Sequence, residues 1–305
     1  MGAFLLRRLW QSAILLVVVT VLVFLIVLMT GDPVRALVPI DAAPADVENI
    51  RHQFGLDQPV WVQYLLFVQH AATGDLGQSF KFREPAMGLV LERLPITAIL
   101  AVTSLAWATA VAVPLGVLAA RRRGQFWDHL ATGVSMLSVC IPSFWLGIVL
   151  ILFFAGQLRW LPASGADGPR NLLLPALTLG APTLGLLTRV SRATMLEELR
   201  RGYLVTARSK GLAERVVLYR HALRNALIPI VTVLGLQLGA LLGGSVIIET
   251  VFAWPGAGWL LIQAISARDL PLLRANVLVI ALAFVAINTL TDLLYAYLNP
   301  RIRYA

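Results

Sequence analysis

Residues 226–248 read ALIPIVTVLGLQLGALLGGSVII, 23 residues without a charge. A bilayer hydrocarbon core about 30 Å thick is crossed by roughly 20 apolar residues in a helix. This one stretch therefore takes the chain out of the soluble class. Gly235, Gly239 and Gly243 recur within it at intervals of four. Small residues at that spacing let helix backbones approach closely where lipid supplies no hydrophobic drive, so they are read as a packing face. Working outward, apolar stretches also lie at 9–29, 96–120, 130–155, 172–188 and 275–298, the fourth span in chain order (172–188) being the shortest. Pro114, Pro142, Pro175, Pro182 and Pro229 fall in or near these spans. Such breaks are tolerated in lipid when neighbouring helices satisfy the freed backbone groups, which points to a packed bundle.

Composition agrees. Of 305 residues, 58% are hydrophobic and 13% charged, against about half and a quarter in an average soluble domain. The single cysteine, Cys140, makes no internal disulfide and reads as a packing residue. Arg7 and Arg8 before the first span resemble a signal peptide's start. The apolar run that follows is longer than the usual roughly 7–15 residues, and Met29 to Pro33 is a poor cleavage site, so the segment reads as retained.

Direction follows from charge. If Arg7 and Arg8 are cytoplasmic, so are 121–129, 189–225 and the tail after 299, which together hold 16 of the 25 Lys and Arg with four acids. The opposite side holds nine basic and eleven acidic residues. Positive residues collect on the cytoplasmic side, so the net charge of +9 is an orientation signal and not a nucleic-acid footprint. The expectation is an all-α membrane protein with six transmembrane helices and both termini cytoplasmic.

Three loops stand out. Residues 1–30 hold the tail and first span; 31–95 form a small external cap, with helix signals from Pro44 to Gly55, a helix at 59–73 closed by Gly74, a possible short strand at Gln78–Phe82 and a third helix at Pro85–Arg93. The core, 96–305, contains the cytoplasmic segment 189–225, expected as helices Thr194–Tyr203 and Leu212–Ala226 hinged at Gly211. Leu212, Val216, Tyr219 and Leu223 form an apolar stripe in the second of these. Such a helix lies on anionic lipid or presents a face to a protein. The external segment 249–275 contains a Pro255-Gly256 turn between apolar residues and a short amphipathic helix at Leu260–Ser266.

Chemistry-bearing constellations are sparse. His52, His70, His129 and His221 all lie outside the spans, without H-x-x-x-H or C-x-x-C spacing, so no metal site and no catalytic residue is expected. Ser138 and Ser245 lack an intramembrane base, as a nucleophile requires. Neither Lys81 nor Lys210 sits in a Walker A loop, so this chain is not itself a P-loop ATPase. Gln237, Asn288 and Asp292 are polar within spans. Polar groups there are costly, which reads either as a path lining or as interhelical hydrogen bonding. Trp254 and Trp259 suit an interfacial anchor.

Several blocks carry a resemblance. Leu5-Leu6-Arg7-Arg8-Leu9, Gly31-Asp32-Pro33, Phe54 to Pro59, Gly74 to Ser79, Glu92-Arg93-Leu94-Pro95, Ile141 to Gly147 and Leu161 to Gly165 run nearly end to end. The most specific are Thr206-Ala207-Arg208-Ser209-Lys210-Gly211-Leu212 with His221 to Ala226, and Glu249 to Gly256. On these the chain resembles the first (B-type) permease subunit of bacterial ABC importers for dipeptides, oligopeptides and nickel. The importers' cytoplasmic motif, E-A-A-x-x-x-G-x9-I-x-L-P, places its Gly on Gly211 and its E-A-A on Val205, Thr206 and Ala207. It departs at the Glu, at the Ile (His221) and at the Pro (Arg224), as is usual in the peptide branch.

The resemblance implies a type I importer permease fold in the bacterial plasma membrane and a translocation path for short peptides. It implies no cofactor on this chain, with ATP and Mg used by two partner ATPase subunits. A second related permease and an extracytoplasmic solute-binding protein complete the set. Tyr203, Thr206, Ala207, Arg208, Lys210, Gly211 and Leu212 would form the ATPase-coupling loop, with Ala207 allowing close approach. Gln237, Glu249, Phe252, Trp254, Pro255, Gly256, Asn288 and Asp292 would line the path or its external gate. Alternatives are the same machinery for nickel, glutathione or another peptide-like solute, and an ion-coupled secondary transporter.

Overall fold

The computed structural model describes residues 2–29, 48 and 57–298. The expected helix between Pro44 and Gly55 and the tail after 299 lie outside them. Among the described residues the chain is helical: α1 (Gly2–Met29), α2 (Val60–Thr73), α3 (Ala86–Arg121), α4 (Phe126–Cys140), α5 (Ser143–Gln157), α6 (Pro169–Glu198), α7 (Gly202–Ser209), α8 (Glu214–Val251), α9 (Ala257–Ser266) and α10 (Leu270–Leu298). The strand expected at Gln78–Phe82 is instead a tight loop whose one bridge pairs Gln78 with Pro85.

Four helices, α3, α6, α8 and α10, are long and apolar enough to cross a membrane, or five spans if α4 and α5 count as one. The stretch read as one span at 130–155 bends by 102° between α4 and α5. Pro142 explains the break: it cannot donate to the ladder, and Ile141 before it is pushed to extended backbone (φ −80°, ψ 122°). In α1 the described apolar side chains run from Trp10 to Leu25.

The chain divides into two compact units. The first comprises 1–96 and 255–285. Its core joins Phe24 of α1, Phe67 of α2, Val90 of α3, Leu260 and Ala264 of α9, and Leu272, Ala275 and Leu278 of α10. Asp269 caps α10, accepting from Leu272 N at 3.2 Å, and also accepts from Ser79 Oγ and from Lys81 N at 3.1 Å. One buried carboxylate thereby ties the 78–85 loop to the turn between α9 and α10.

The second unit comprises 97–254 and 286–305, and α6 is its centre. Two-thirds of the α6 apolar window is buried (67%), against 28% for α8 and 33% for α3. Its mean hydropathy is also the lowest of the four, 1.4. A helix walled by protein needs less apolar surface than one facing lipid, which is why this span looked shortest in the sequence. Contact is close enough to exclude side chains. A Cβ at Gly180 would lie 2.6 Å from the Ser104 carbonyl, and one at Gly185 would lie 2.6 Å from that of Ser135. Arg192 of α6 donates to both carboxylate oxygens of Asp128 on α4, whose Oδ2 also accepts from Gly124 N at 2.9 Å.

Candidate functional site

The most sharply built polar feature lies where α6 ends. Leu199, Arg200 and Arg201 form a turn, after which α7 runs for eight residues and stops at a Schellman cap. Gly211 N donates to Arg208 O at 2.9 Å and Leu212 N donates to Ala207 O at 3.4 Å. This closure needs a left-handed residue after the helix, and Gly211 supplies it at φ +75°. Arg208 then spans the turn, its Nε and Nη2 reaching the two carboxylate oxygens of Glu214 at 3.1 and 2.9 Å. The bidentate pairing raises the Arg208 pKa above its ordinary value.

At its other end α7 is held by Tyr203. The phenol donates to Glu198 Oε2 at 2.8 Å and accepts from Asn225 Nδ2 at 2.9 Å, linking α6 to α8. Burial pushes the phenol's pKa up. Glu198, itself buried, also pairs with Arg201 Nε at 3.1 Å. Glu198 and Glu214 were not singled out in the sequence as site residues, and Asn225 stood there only within the His221 to Ala226 block, without a role. Nothing in their spacing marked them as partners of Tyr203 and Arg208.

The two faces of α7 differ. Leu204 and Ala207 turn inward onto a core of Val117, Ala120, Met195, Val217, Leu218 and Ala222. Ala207 therefore permits close approach to this chain's own helices. Outward, Val205 (59% exposed), Tyr203, Thr206, Ser209, Lys210 and Leu212 form the free surface, beside Tyr219 of α8. The expected stripe of Leu212, Val216, Tyr219 and Leu223 is not the buried one: Val217, Leu218, Ala222 and Ala226 are. A wide, i→i+5 turn runs over Val217–Ala222, the stretch in which that buried set begins. The helices expected at Thr194–Tyr203 and Leu212–Ala226 have other bounds, the first being interrupted at the 199–201 turn and the second beginning at Glu214.

On the opposite loop, Glu249, Phe252 and Trp254 are buried, and Ala253 takes a left-handed conformation (φ +46°). Phe252 packs on α5 and the loop that follows it: its ring lies 3.1 Å from where a Cβ of Gly147 would be, and its carbonyl accepts from Gly165 N at 3.1 Å. Pro255 and Gly256 open the first unit's share of the loop, where the Pro255 carbonyl accepts from Arg93 at 3.4 Å. Gln237 donates to Thr183 Oγ1 at 3.2 Å, an α8–α6 hydrogen bond. Asn288 and Asp292 lie half-buried four residues apart on α10. Of the glycine face, Gly235 abuts Thr291 and Gly239 is buried, while a Cβ at Gly243 would meet nothing within 4 Å. Among the described residues no three His, Cys, Asp or Glu gather as metal ligands.

The chain thus presents a bundle of long apolar helices with a short, capped surface helix where α6 ends. The chain belongs to the family described as the binding-protein-dependent transport system inner membrane component, matched over residues 112–304, with the family's N-terminal region matched over 1–101. It is 41% identical over 302 residues to the glutathione transport system permease protein GsiC of Escherichia coli O6:H1, covering 99% of both chains. The same protein of Escherichia coli K12 is 40% identical and that of Salmonella paratyphi A 41%, at the same coverage. Among solved structures, a chain of the inward-facing MetNI methionine ABC transporter shares the fold, with a TM-score of 0.60 at 19% identity, over 71% of this chain and 99% of that one. The chain is thus a permease subunit of an ABC importer, a multi-pass protein of the bacterial inner membrane whose ATPase is a separate subunit.

Proposed function

We propose that this permease forms half of a translocation path for short peptides, glutathione among them, delivered by a solute-binding protein. The observation that carries the reading is the 41% identity to a glutathione permease across 99% of both chains. The charge split supports six spans with both termini cytoplasmic, α1 and the bent α4–α5 pair completing the set. A second, related permease supplies the other half of the path, and two ATPases use ATP and Mg to drive alternating access. In this reading α7 and its cap, from Tyr203 to Leu212, dock on an ATPase. The Tyr203 and Arg208 bonds make α7 stiff enough to act as a lever on α6 and α8. Phe252, Trp254, Pro255 and Gly256 set the position of the external gate from within the protein, while Glu249, Gln237, Asn288 and Asp292 tune the path beside it.

Two measurements test this. Vesicles holding the assembled importer should accumulate labelled glutathione or a dipeptide only with ATP and binding protein present; uptake of free nickel alone, or uptake without ATP, overturns the reading. Coupling is tested at Gly211, where a Cβ has open space but φ is +75°. A β-branched side chain there is strained by about 1–2 kcal/mol, whereas Asn visits that conformation readily. Gly211→Val should leave insertion and ATP hydrolysis but lower uptake at least tenfold, and Gly211→Asn should restore most of it. Normal uptake by Gly211→Val removes the lever role.

A further inference from the structure

α2 lies in the segment that the sequence suggested was a cap outside the membrane. Its side chains sort into three faces at 3.6 residues per turn. Tyr64, Phe67 and Ala71 face the core of the first unit. Gln69, His70 and Thr73 are polar and exposed on the far side, with Leu66 (38% exposed) among them. Between them Trp61 and Leu65 are 66% and 57% exposed, large apolar groups with no cover from the described residues.

Depth decides what covers them. Tyr64 OH lies 2.9 Å from Thr20 Oγ1, and Phe24 packs against the rings of both Tyr64 and Phe67, at 5.5 and 6.1 Å between centroids. Both α1 residues lie inside the apolar run and before the α1 end at Met29. Within the described part of α1, Phe24 is followed by about 7.5 Å of helix and Thr20 by about 13.5 Å, at 1.5 Å per residue. A second ruler comes from α10. Arg274 sits over the Phe67 ring at 5.7 Å, and it follows the start of α10 at Leu270 by one turn, about 6 Å. Helices that lie in a membrane interface sink their apolar face about 5–10 Å into the boundary between headgroups and acyl chains. A tryptophan at that level is at its preferred depth. On α1 itself, Val17, Leu22 and Leu25 are also exposed.

We infer that α2 is an interfacial helix, lying along the leaflet at the far end of α1 with Trp61 and Leu65 inserted among lipid acyl chains and Gln69 and Thr73 toward water. Its partner is the lipid surface, and α2 fixes how deep the first unit sits. The inference rests on the six-span reading, since α1 serves as its ruler.

The test uses the assembled importer in phosphatidylethanolamine–phosphatidylglycerol vesicles. In a Cys140→Ala background, nitroxide labels are placed by Leu65→Cys, Gln69→Cys and Val17→Cys, with Trp61→Cys as a second site on the same face if Leu65→Cys does not assemble. Accessibility to oxygen, which concentrates in lipid, is compared with accessibility to a water-soluble nickel chelate. At position 65 oxygen should exceed nickel several-fold, as at position 17, and at position 69 the ratio should reverse. A label at 65 that nickel reaches as readily as at 69 puts α2 in water and overturns the inference. One shielded from both probes puts a protein partner there and overturns it equally. A label at 17 outside lipid removes the six-span reading together with the ruler, whereas lipid at 17 with water at 65 removes the α2 assignment alone.

Discussion

A Cβ added at Gly180 of α6 would come within 2.5 Å of Trp107 Nε1 and 2.6 Å of the Ser104 carbonyl, whereas one added at Gly243 of α8 would meet nothing within 4 Å. The two helices differ correspondingly in setting, since α6 is walled by α3, α4 and α8 while much of α8 faces outward. Yet α8 carries the regular repeat of glycines and α6 does not. Spacing alone therefore marks helices able to pack closely, and the position of the helix in the bundle decides which glycines are obliged to. The comparison can be broken at its extreme. Gly180→Ala sets a methyl group against a backbone carbonyl and an indole that itself donates to Ala176 O at 2.6 Å. Neither neighbour has room to yield, so the cost should be about 3 kcal/mol or more. Thermal unfolding of the assembled complex by size-exclusion fluorescence should show little intact material; a full yield at the wild-type Tm would mean that α3 and α6 separate freely.

Legibility in the sequence follows the same division. Three of the four long apolar helices, α3, α8 and α10, were plain from length and hydropathy, because lipid imposes those on any side chain that faces it, whereas α6, two-thirds of whose window is buried, looked shortest. What protein imposes on protein was not plain. Gly116, Gly147, Gly180 and Gly185 each have a neighbour within 3.1 Å of a would-be Cβ, and no repeat announced them. The 102° bend between α4 and α5 was foreshadowed by Pro142, but a proline in a bundle kinks or breaks a helix according to neighbours the sequence does not name. At α7 the importers' motif gave Gly211 its place, and φ +75° gives the reason. The wide turn at 217–222 had no signal in the 3.6-residue spacing of the following helix. Tyr203 was carried by resemblance; its partners Glu198 and Asn225, 5 and 22 residues away, required the fold.

An intermediate case sharpens the contrast. Gly235 does abut α10, but against a side chain, Thr291, and not a carbonyl. A side chain can turn away, so Gly235→Ala should cost less than Gly180→Ala, about 1–3 kcal/mol. Thr291 donates its hydroxyl to Ile287 O at 2.8 Å, which a serine retains while losing the methyl in the way. The double variant Gly235→Ala with Thr291→Ser should therefore recover most of the lost Tm. Failure to recover would place the clash elsewhere along α8.

Gly243→Ala is the smallest change and separates two explanations for the α8 repeat. Within this chain the added methyl group touches nothing, and alanine in a helix is favoured over glycine by roughly 0.5–1 kcal/mol. If the repeat only reflects composition, the variant should raise the Tm of the isolated subunit slightly and leave the assembled importer unchanged. If Gly243, exposed here, meets the second permease, the isolated subunit should still gain while the complex loses its partner at lower detergent concentration. The sign of the effect thus reverses between subunit and complex only when another chain occupies the space that Gly243 leaves. Measuring both Tm values for the one substitution distinguishes a glycine left open to lipid from one kept small for a neighbour, which the distances around Gly180 already do for α6.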